Sequence, residues 1–254
     1  RFKEKRLKYP FYIKMELRVY KSEFPKERIG KNNDGGYVIC NIPNIKYDVL
    51  ISGGISNDTT FEDQFLNKFS DIDCYAYDGT ILESPSTNPK FHWIKKNIGF
   101  YEKSNETNLH NLINSNKSIF IKMDIEGYEL QWIESLSLDQ LQNISQLVIE
   151  FHSAFTDRHK KMFQKLNEVF ALVHLHGNNF KYDLVNNIPY FFECTYINKK
   201  YLTKSLEFNT DTIPSTLDQP NLVSKPDVFL NFEPYVHNNI RLPRTLKLGP
   251  KGFY

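Results

Sequence analysis

Acidic and imidazole side chains gather where apolar runs of this chain end. The densest cluster is Lys122-Met123-Asp124-Ile125-Glu126-Gly127-Tyr128-Glu129, which closes the apolar run of residues 118–123. Lys122 and Asp124 stand two residues apart and so share one side of a strand, and Glu126 carries the acidic line into the loop. Charges beside an apolar strand are costly in a closed core, so the pattern implies a polar cavity, with a surface salt-bridge cluster as the competing reading. The next apolar run ends in Glu150-Phe151-His152, and the one after it in His174-Leu175-His176-Gly177-Asn178-Asn179. Two carboxylates brought together without a counter-charge repel, and one tends to hold a proton. A divalent cation on Asp124, Glu150 and His152 removes that problem. Carboxylates suit Mg or Mn, and an imidazole favours Mn. Lys122 offers the competing solution by neutralising Asp124 directly, which leaves His152 or His176 as a metal-free general base. Histidines on apolar strands are also common as satisfied core residues.

Two further positions suit a nucleoside ligand. Ser52-Gly53-Gly54-Ile55-Ser56-Asn57-Asp58 follows an apolar run. Gly53 and Gly54 allow the backbone close to a ligand at a helix start, and a plain tight turn is the alternative. The spacing lacks the full G-x-G-x-x-G pattern of an ordinary NAD site. The following run ends at Asp78, before Gly79. A carboxylate there can accept from both ribose hydroxyls of a nucleoside cofactor, or else it caps the turn. Asn187-Ile188-Pro189-Tyr190 has some likeness to the Asn-Pro-Pro-Tyr element of amino-group methyltransferases, but it precedes an apolar run and reads as a turn.

These residues need a frame of strands. Apolar runs at 48–52, 73–78, 91–94, 118–124, 146–151, 171–176 and 190–197 read as seven strands. Thr59-x-x-Glu62 reads as a capping box opening a helix with Phe61, Phe65, Leu66 and Phe69 on one face. Leu130, Ile133 and Leu136 mark a second helix, and Met162, Phe163, Leu166, Val169 and Phe170 a third. Strands alternating with helices predict an α/β fold with a mostly parallel sheet covered on both faces. Residues 177–189 carry no helical pattern, so the last strand is expected to run antiparallel. In such a sheet ligands bind beyond the carboxyl ends of the strands, where the order reverses. The predicted organisation is a lead-in and cap over 1–45, a core over 46–204 and a Pro-rich extension over 205–254. The extension is expected to wrap the surface and line an acceptor pocket with Phe229-Leu230-Asn231-Phe232 and Tyr235.

The 254 residues suit one large domain, and 15% aromatic content excludes disorder over most of the chain. A net charge of +2 argues against a nucleic-acid partner. No apolar run approaches a membrane span, and the basic start at Arg1-Phe2-Lys3 is not followed by an apolar signal core. Cys40, Cys74 and Cys194 each sit in an apolar stretch, which points to buried free thiols and a reducing, cytoplasmic setting.

The octapeptide at 122–129 resembles the K-x-D-x-E-G-x-E signature of FkbM-like methyltransferases. Asp34-Gly35-Gly36-Tyr37 after Arg28-x-Gly30 looks like a segment found before the first strand in one branch. Ser52-Gly53-Gly54-Ile55 with Phe61-Glu62 looks like the family's cofactor loop. Tyr77-Asp78-Gly79-Thr80 resembles its Phe-Asp-Pro-Thr turn, with Gly79 replacing the usual Pro. The runs 146–152, 176–179 and 193–196 complete a likeness over roughly residues 25–200. The resemblance implies a Rossmann-like class I methyltransferase fold of seven strands, with S-adenosylmethionine as cofactor. It also implies O-methylation of a sugar, sugar-nucleotide or glycan acceptor in surface polysaccharide or glycan biosynthesis. Gly53, Gly54, Asp78, Gly79, Asp124 and Glu126 would hold the cofactor. Lys122, Asp124, His152 and His176 would serve catalysis, and Asp124, Glu150 and His152 would hold any metal. A homo-oligomer is compatible with this reading. The alternatives are a catalytically silent member that binds cofactor or glycan, and a methyltransferase for another small molecule.

Overall fold

The computed structural model describes residues 16–152, 157–183, 188–230 and 234–235. In chain order the elements are β1 (Lys26–Gly30), β2 (Gly36–Cys40), β3 (Val49–Gly53), α1 (Thr60–Lys68), β4 (Asp73–Tyr77), β5 (Phe91–Ile94), β6 (Asn97–Ile98), β7 (Glu106–Thr107), α2 (His110–Asn114), β8 (Ile119–Met123), α3 (Glu129–Ser135), α4 (Leu138–Gln142), β9 (Ile144–His152), α5 (Asp157–Val169), β10 (Phe170–Gly177), β11 (Tyr182–Asp183), β12 (Ile188–Pro189) and β13 (Phe191–Asn198). The seven predicted strands form one seven-stranded sheet in the order β10-β13-β9-β8-β3-β4-β5. β3 pairs in parallel with both β4 and β8, so the order reverses beside it. β13 is antiparallel to both of its neighbours, as expected for the last strand.

Side chains alternate across the sheet. Leu50, Cys74, Phe120 and Val148 pack with Phe61, Phe65 and Leu66 of α1 and with Ile29, Tyr37 and Ile39 of the β1–β2 hairpin. Ile51, Ile121, Leu147 and Ile149 face the other way, toward Leu130, Trp132, Ile133, Phe163 and Leu166. Burial on both faces explains why these strands read as unbroken apolar runs.

Two local features differ from the sequence reading. The capping box at Thr59 does not form: Thr59 Oγ1 donates to Asp63 Oδ2 at 2.9 Å instead of capping the backbone. Glu62 turns inward and accepts from Ser52 Oγ at 2.5 Å. A buried hydroxyl on β3 competes for that carboxylate better than an exposed backbone N–H does. The hairpin was also unforeseen, because its strands are short and follow no simple alternation. It docks through a side-chain substitute for a ladder. Gln146 on β9 accepts from Cys40 N at 2.7 Å and donates to Cys40 O at 3.0 Å. Asn187 of the tetrad, and Asn231 and Phe232 of the tail, lie outside the described residues.

The tail runs without helix or sheet strand through residue 230, apart from an isolated bridge between Tyr20 and Phe208. It is fastened to β10 and β13. His174 Nε2 donates to Asp218 Oδ1 at 2.8 Å, and His176 Nε2 to Asp227 Oδ1 at 2.9 Å. Ile213, Val228, Leu230 and Tyr235 join the main apolar cluster.

These clasps make stability depend on pH. Burial works against the charged form of Asp218, but His174, with further help from His176 and the Ser215 N–H, lowers its carboxyl to about 2. That interaction contributes about 2 kcal/mol above roughly pH 4 and is lost as pH falls through 2. Burial likewise opposes the charged form of His176, yet Glu193 and Asp227 raise it well above its usual value. Its contribution is complete below about pH 6.5 and is lost as pH rises through the raised value. Thermal stability should therefore fall on both limbs, and Asp218→Asn should flatten the acid limb. An acid limb unchanged in that variant would remove Asp218 from the account.

Candidate functional site at the strand-order reversal

The reversal at β3 opens a cavity of about 670 Å³ beyond the ends of β3, β4 and β8. Gly54, Asp78, Lys122, Asp124 and Glu126 line it, whereas Gly53, Gly79, Glu150, His152 and His176 do not. Gly54 adopts φ +70°, and a Cβ there would stand 1.6 Å from the Asp124 carbonyl oxygen. The glycine is thus demanded by the neighbouring strand end as well as by any ligand. Gly53 is crowded by Ile98 and Met123, and Gly79 by Asn97, so both are packing positions.

Asp78 ends β4 in the cavity wall. Its Oδ1 accepts from Thr80 N and Oγ1 at 2.8 and 2.6 Å, and its Oδ2 from Ser56 N at 2.9 Å. Burial alone would raise this carboxyl, but those bonds hold it below its usual value, so it stays ionised. It therefore braces the turn and the glycine loop together while facing the cavity.

Asp124 follows β8. Its Oδ2 accepts from Tyr37 Oη at 2.9 Å, while its Oδ1 is buried without a hydrogen-bond partner. Burial raises the carboxyl above its usual value against the pull of Lys122, His152 and Tyr37. Lys122 does not neutralise it by direct contact. The ammonium donates to the Gly54 carbonyl at 2.6 Å, just beyond the end of the neighbouring β3.

His152 is held from behind. Its Nδ1 donates to Glu129 Oε1 at 3.0 Å, and its Nε2 lies 3.4 Å from Glu126 Oε2 and 3.8 Å from Asp124 Oδ1. Burial disfavours the charged ring, but Glu129, Asp124 and Glu126 together raise it. Glu129 was not foreseen as a site residue, although it closes the octapeptide. It is buried, and the same Oε1 also accepts from Ile125 N at 3.1 Å and Gly127 N at 3.0 Å. Glu126 and Gly127 between them have positive φ, so this loop relies on a side-chain anchor.

Glu150 is buried beside Asp124 and accepts from Asn178 Nδ2 at 2.8 Å. Burial, then the charges of Asp124 and Glu193, push its carboxyl well above the usual range. Ligand atoms of Asp124, Glu150 and His152 all lie within 4.8 Å of one another. His176 belongs elsewhere. Its Nδ1 meets Glu193 Oε2 of β13 at 3.0 Å and its Nε2 meets Asp227 of the tail, so both ring nitrogens are taken and neither is offered to the cavity. No described residue after Tyr128 lines the cavity, so the expected tail-lined pocket is not formed there. Tyr37 was missed because the hairpin that carries it was missed.

A seven-stranded sheet of this order, with its cavity at the reversal, is the Rossmann-like class I methyltransferase fold. The chain belongs to the Methyltransferase FkbM domain family, which it matches over residues 21–182. It is therefore a member of a family of S-adenosylmethionine-dependent methyltransferases. No curated protein sequence matches it. Among solved structures it is similar to a fibrillarin/Nop5p complex at 11% identity, covering 60% of this chain and 73% of that chain with a TM-score of 0.37. A putative rRNA methylase from Clostridium thermocellum shares 9% identity over 61% of this chain and 88% of its own, at a TM-score of 0.33. The plantazolicin methyltransferase BpumL in complex with SAH shares 11% identity over 59% and 75%, at 0.32. Among the described residues no helix is long and apolar enough to cross a membrane.

Replacing Glu129 tests the anchor. Glu129→Ala removes three hydrogen bonds at once and is expected to cost about 3 kcal/mol. Amide exchange at Ile125 and Gly127 should accelerate by the same free energy. Unchanged protection at both amides would show that the loop holds itself.

Proposed function

We propose that the protein is an S-adenosylmethionine-dependent O-methyltransferase acting on a sugar hydroxyl in surface polysaccharide or glycan biosynthesis, with Mg or Mn at Asp124, Glu150 and His152. The observation that carries the reading is the Asp124 carboxylate. It faces the cofactor cavity on one side and clusters with Glu150 and His152 on the other, with one oxygen buried and unpartnered. Lys122 is turned to Gly54, which weakens the metal-free way of balancing these carboxylates. The donor set of two carboxylates and one imidazole suits Mn as well as Mg.

When bound, S-adenosylmethionine supplies a methyl group on a sulfonium for in-line displacement. A divalent cation would make an acceptor hydroxyl more acidic. The chain's residues place these partners. Asp78, kept ionised, is set to receive the ribose hydroxyls, and Gly54 keeps the loop low over the sheet. Glu129 orients His152 so that Nε2 points toward Asp124. Transfer then requires the acceptor oxygen against the methyl and removal of its proton. The balanced charge of +2 favours a sugar over a nucleic-acid acceptor. Buried free thiols, with Cys40 raised by burial to about 11, fit a reducing cytoplasm.

Calorimetry with S-adenosylhomocysteine tests the cofactor reading. The wild type should bind, and Asp78→Asn should bind roughly tenfold more weakly, because a charged acceptor becomes a neutral one. Absence of binding in the wild type would leave a silent member of the fold. Turnover should be lost in EDTA and restored by Mn at least as well as by Mg. Full activity in EDTA, with Glu150→Ala still active, would remove the metal and leave His152 as the base.

A further inference from the structure

A row of aromatic rings leads outward from His152, and none of the roles assigned so far uses it. Phe191 lies opposite His152 across the β9–β13 pair, and the two ring centroids are 4.9 Å apart. Phe180 follows at 6.3 Å from Phe191 and is 57% exposed. A single exposed phenylalanine is ordinary on a protein surface. This one ends a stack whose middle ring is half-buried and whose inner member is the imidazole beside Asp124.

One buried side chain ties the row to the acidic cluster. Asn178 donates through Nδ2 to Glu150 Oε1 at 2.8 Å and accepts through Oδ1 from Phe180 N at 2.8 Å. Its own backbone N–H donates to Phe191 O at 3.1 Å. The same residue therefore sets the Glu150 carboxylate and the loop that presents Phe180. A surface held in register with the cluster in this way needs little ordering when a ligand arrives.

Charge changes sign along the row. The inner end is acidic, with Asp124, Glu126 and Glu129 around His152. The outer end carries two exposed lysines. Lys225 Nζ stands 6.0 Å from the Phe180 ring centroid and donates to the Phe180 carbonyl at 2.9 Å. Lys181 Nζ stands 5.1 Å from the ring of Tyr190, the residue before Phe191. A ligand lying along these rings meets carboxylates at one end and ammonium groups at the other, so one that carries an anionic group is admitted in a single orientation.

A pyranose ring exposes a patch of C–H groups on one face, and an aromatic face covers that patch while the hydroxyls stay in water. We infer that Phe180 and Phe191 form the acceptor subsite and that the acceptor is an acidic glycan. A sugar ring stacks on the two phenylalanines, its carboxylate turns outward to Lys225 and Lys181, and a hydroxyl turns inward to the cluster of Asp124, Glu150 and His152. This inference rests on the sugar-acceptor reading given above and adds to it the surface that selects the sugar.

The test is a titration followed by saturation-transfer NMR on the full chain, with S-adenosylhomocysteine and Mg present. The probes are methyl β-D-glucuronide and its neutral counterpart methyl β-D-glucoside. The glucuronide should bind more tightly than the glucoside. Phe180→Ala should weaken both roughly three- to tenfold, the loss of one ring face. Lys225→Met should weaken the glucuronide alone, roughly two- to fivefold, as expected for an exposed charge pair. Affinity for S-adenosylhomocysteine, set in the cavity, reports that each variant is folded. Sugars that bind Phe180→Ala as well as the wild type overturn the subsite and spare the sugar-acceptor reading. A glucoside that matches the glucuronide overturns the acidic acceptor, and glucose 1-phosphate binding more tightly than either replaces the carboxylate with a phosphate and overturns it too. A wild type that binds S-adenosylhomocysteine but none of these sugars defeats both this inference and the sugar-acceptor reading, and leaves the cofactor reading standing.

Discussion

A row of buried charge crosses the sheet at the carboxyl ends of its strands, and most of the molecule is arranged to satisfy it. Asp124 follows β8, Glu150 sits on β9, Glu193 lies directly opposite Glu150 on β13, and His176 lies opposite Glu193 on β10. Taking several carboxylates out of water is tolerable only where each finds a donor or a counter-charge. At the β10 end this is achieved within the chain. His176 bridges Glu193 and Asp227, and Asn221 donates to Glu193 Oε1 at 2.6 Å. At the β8 end it is not, because Asp124 keeps a buried oxygen without a partner. The imbalance is local and directional, and it lies against the cavity wall.

The two segments outside the sheet answer to that row. The hairpin brings Tyr37 to Asp124 and is itself held by Gln146 and by Thr195, whose hydroxyl donates to Val38 O at 2.5 Å. The tail brings Asp218, Asn221 and Asp227 to the histidines and the glutamate of β10 and β13. Without the tail, His176 and Glu193 would face each other with the outer partner of each removed. The tail is thus part of the core's electrostatics, which a reading of it as a pocket rim overlooked.

The strands were legible in the sequence because burial on both faces writes an unbroken apolar run, and their mostly parallel pairing follows from alternation with helices. Asp78, Lys122, Asp124 and Glu126 were legible as cavity residues because polar groups at strand ends have few other places to be. The misreadings share one physical origin. His176 and His152 look alike in sequence, each two residues beyond another polar strand residue. What separates them is the partner that each nitrogen finds, Asp227 from the tail in one case and Glu129 from α3 in the other. Partners more than twenty residues away leave no local signal. Thr59-x-x-Glu62 failed for a related reason, since Ser52, ten residues away on a different element, captured the glutamate.

The cavity is accordingly divided by charge before any ligand arrives. Asp78 is fully bonded to its own turn and ionised, so it can offer its remaining lone pairs without reorganising. Glu62 and Asp124 each retain a buried oxygen that the protein leaves unmet. A neutral ligand would leave both of them unmet, and an anionic one would add a further like charge. A cationic group brought against either oxygen would satisfy it. That arrangement favours a cationic group over an anionic one at these two points of the crevice.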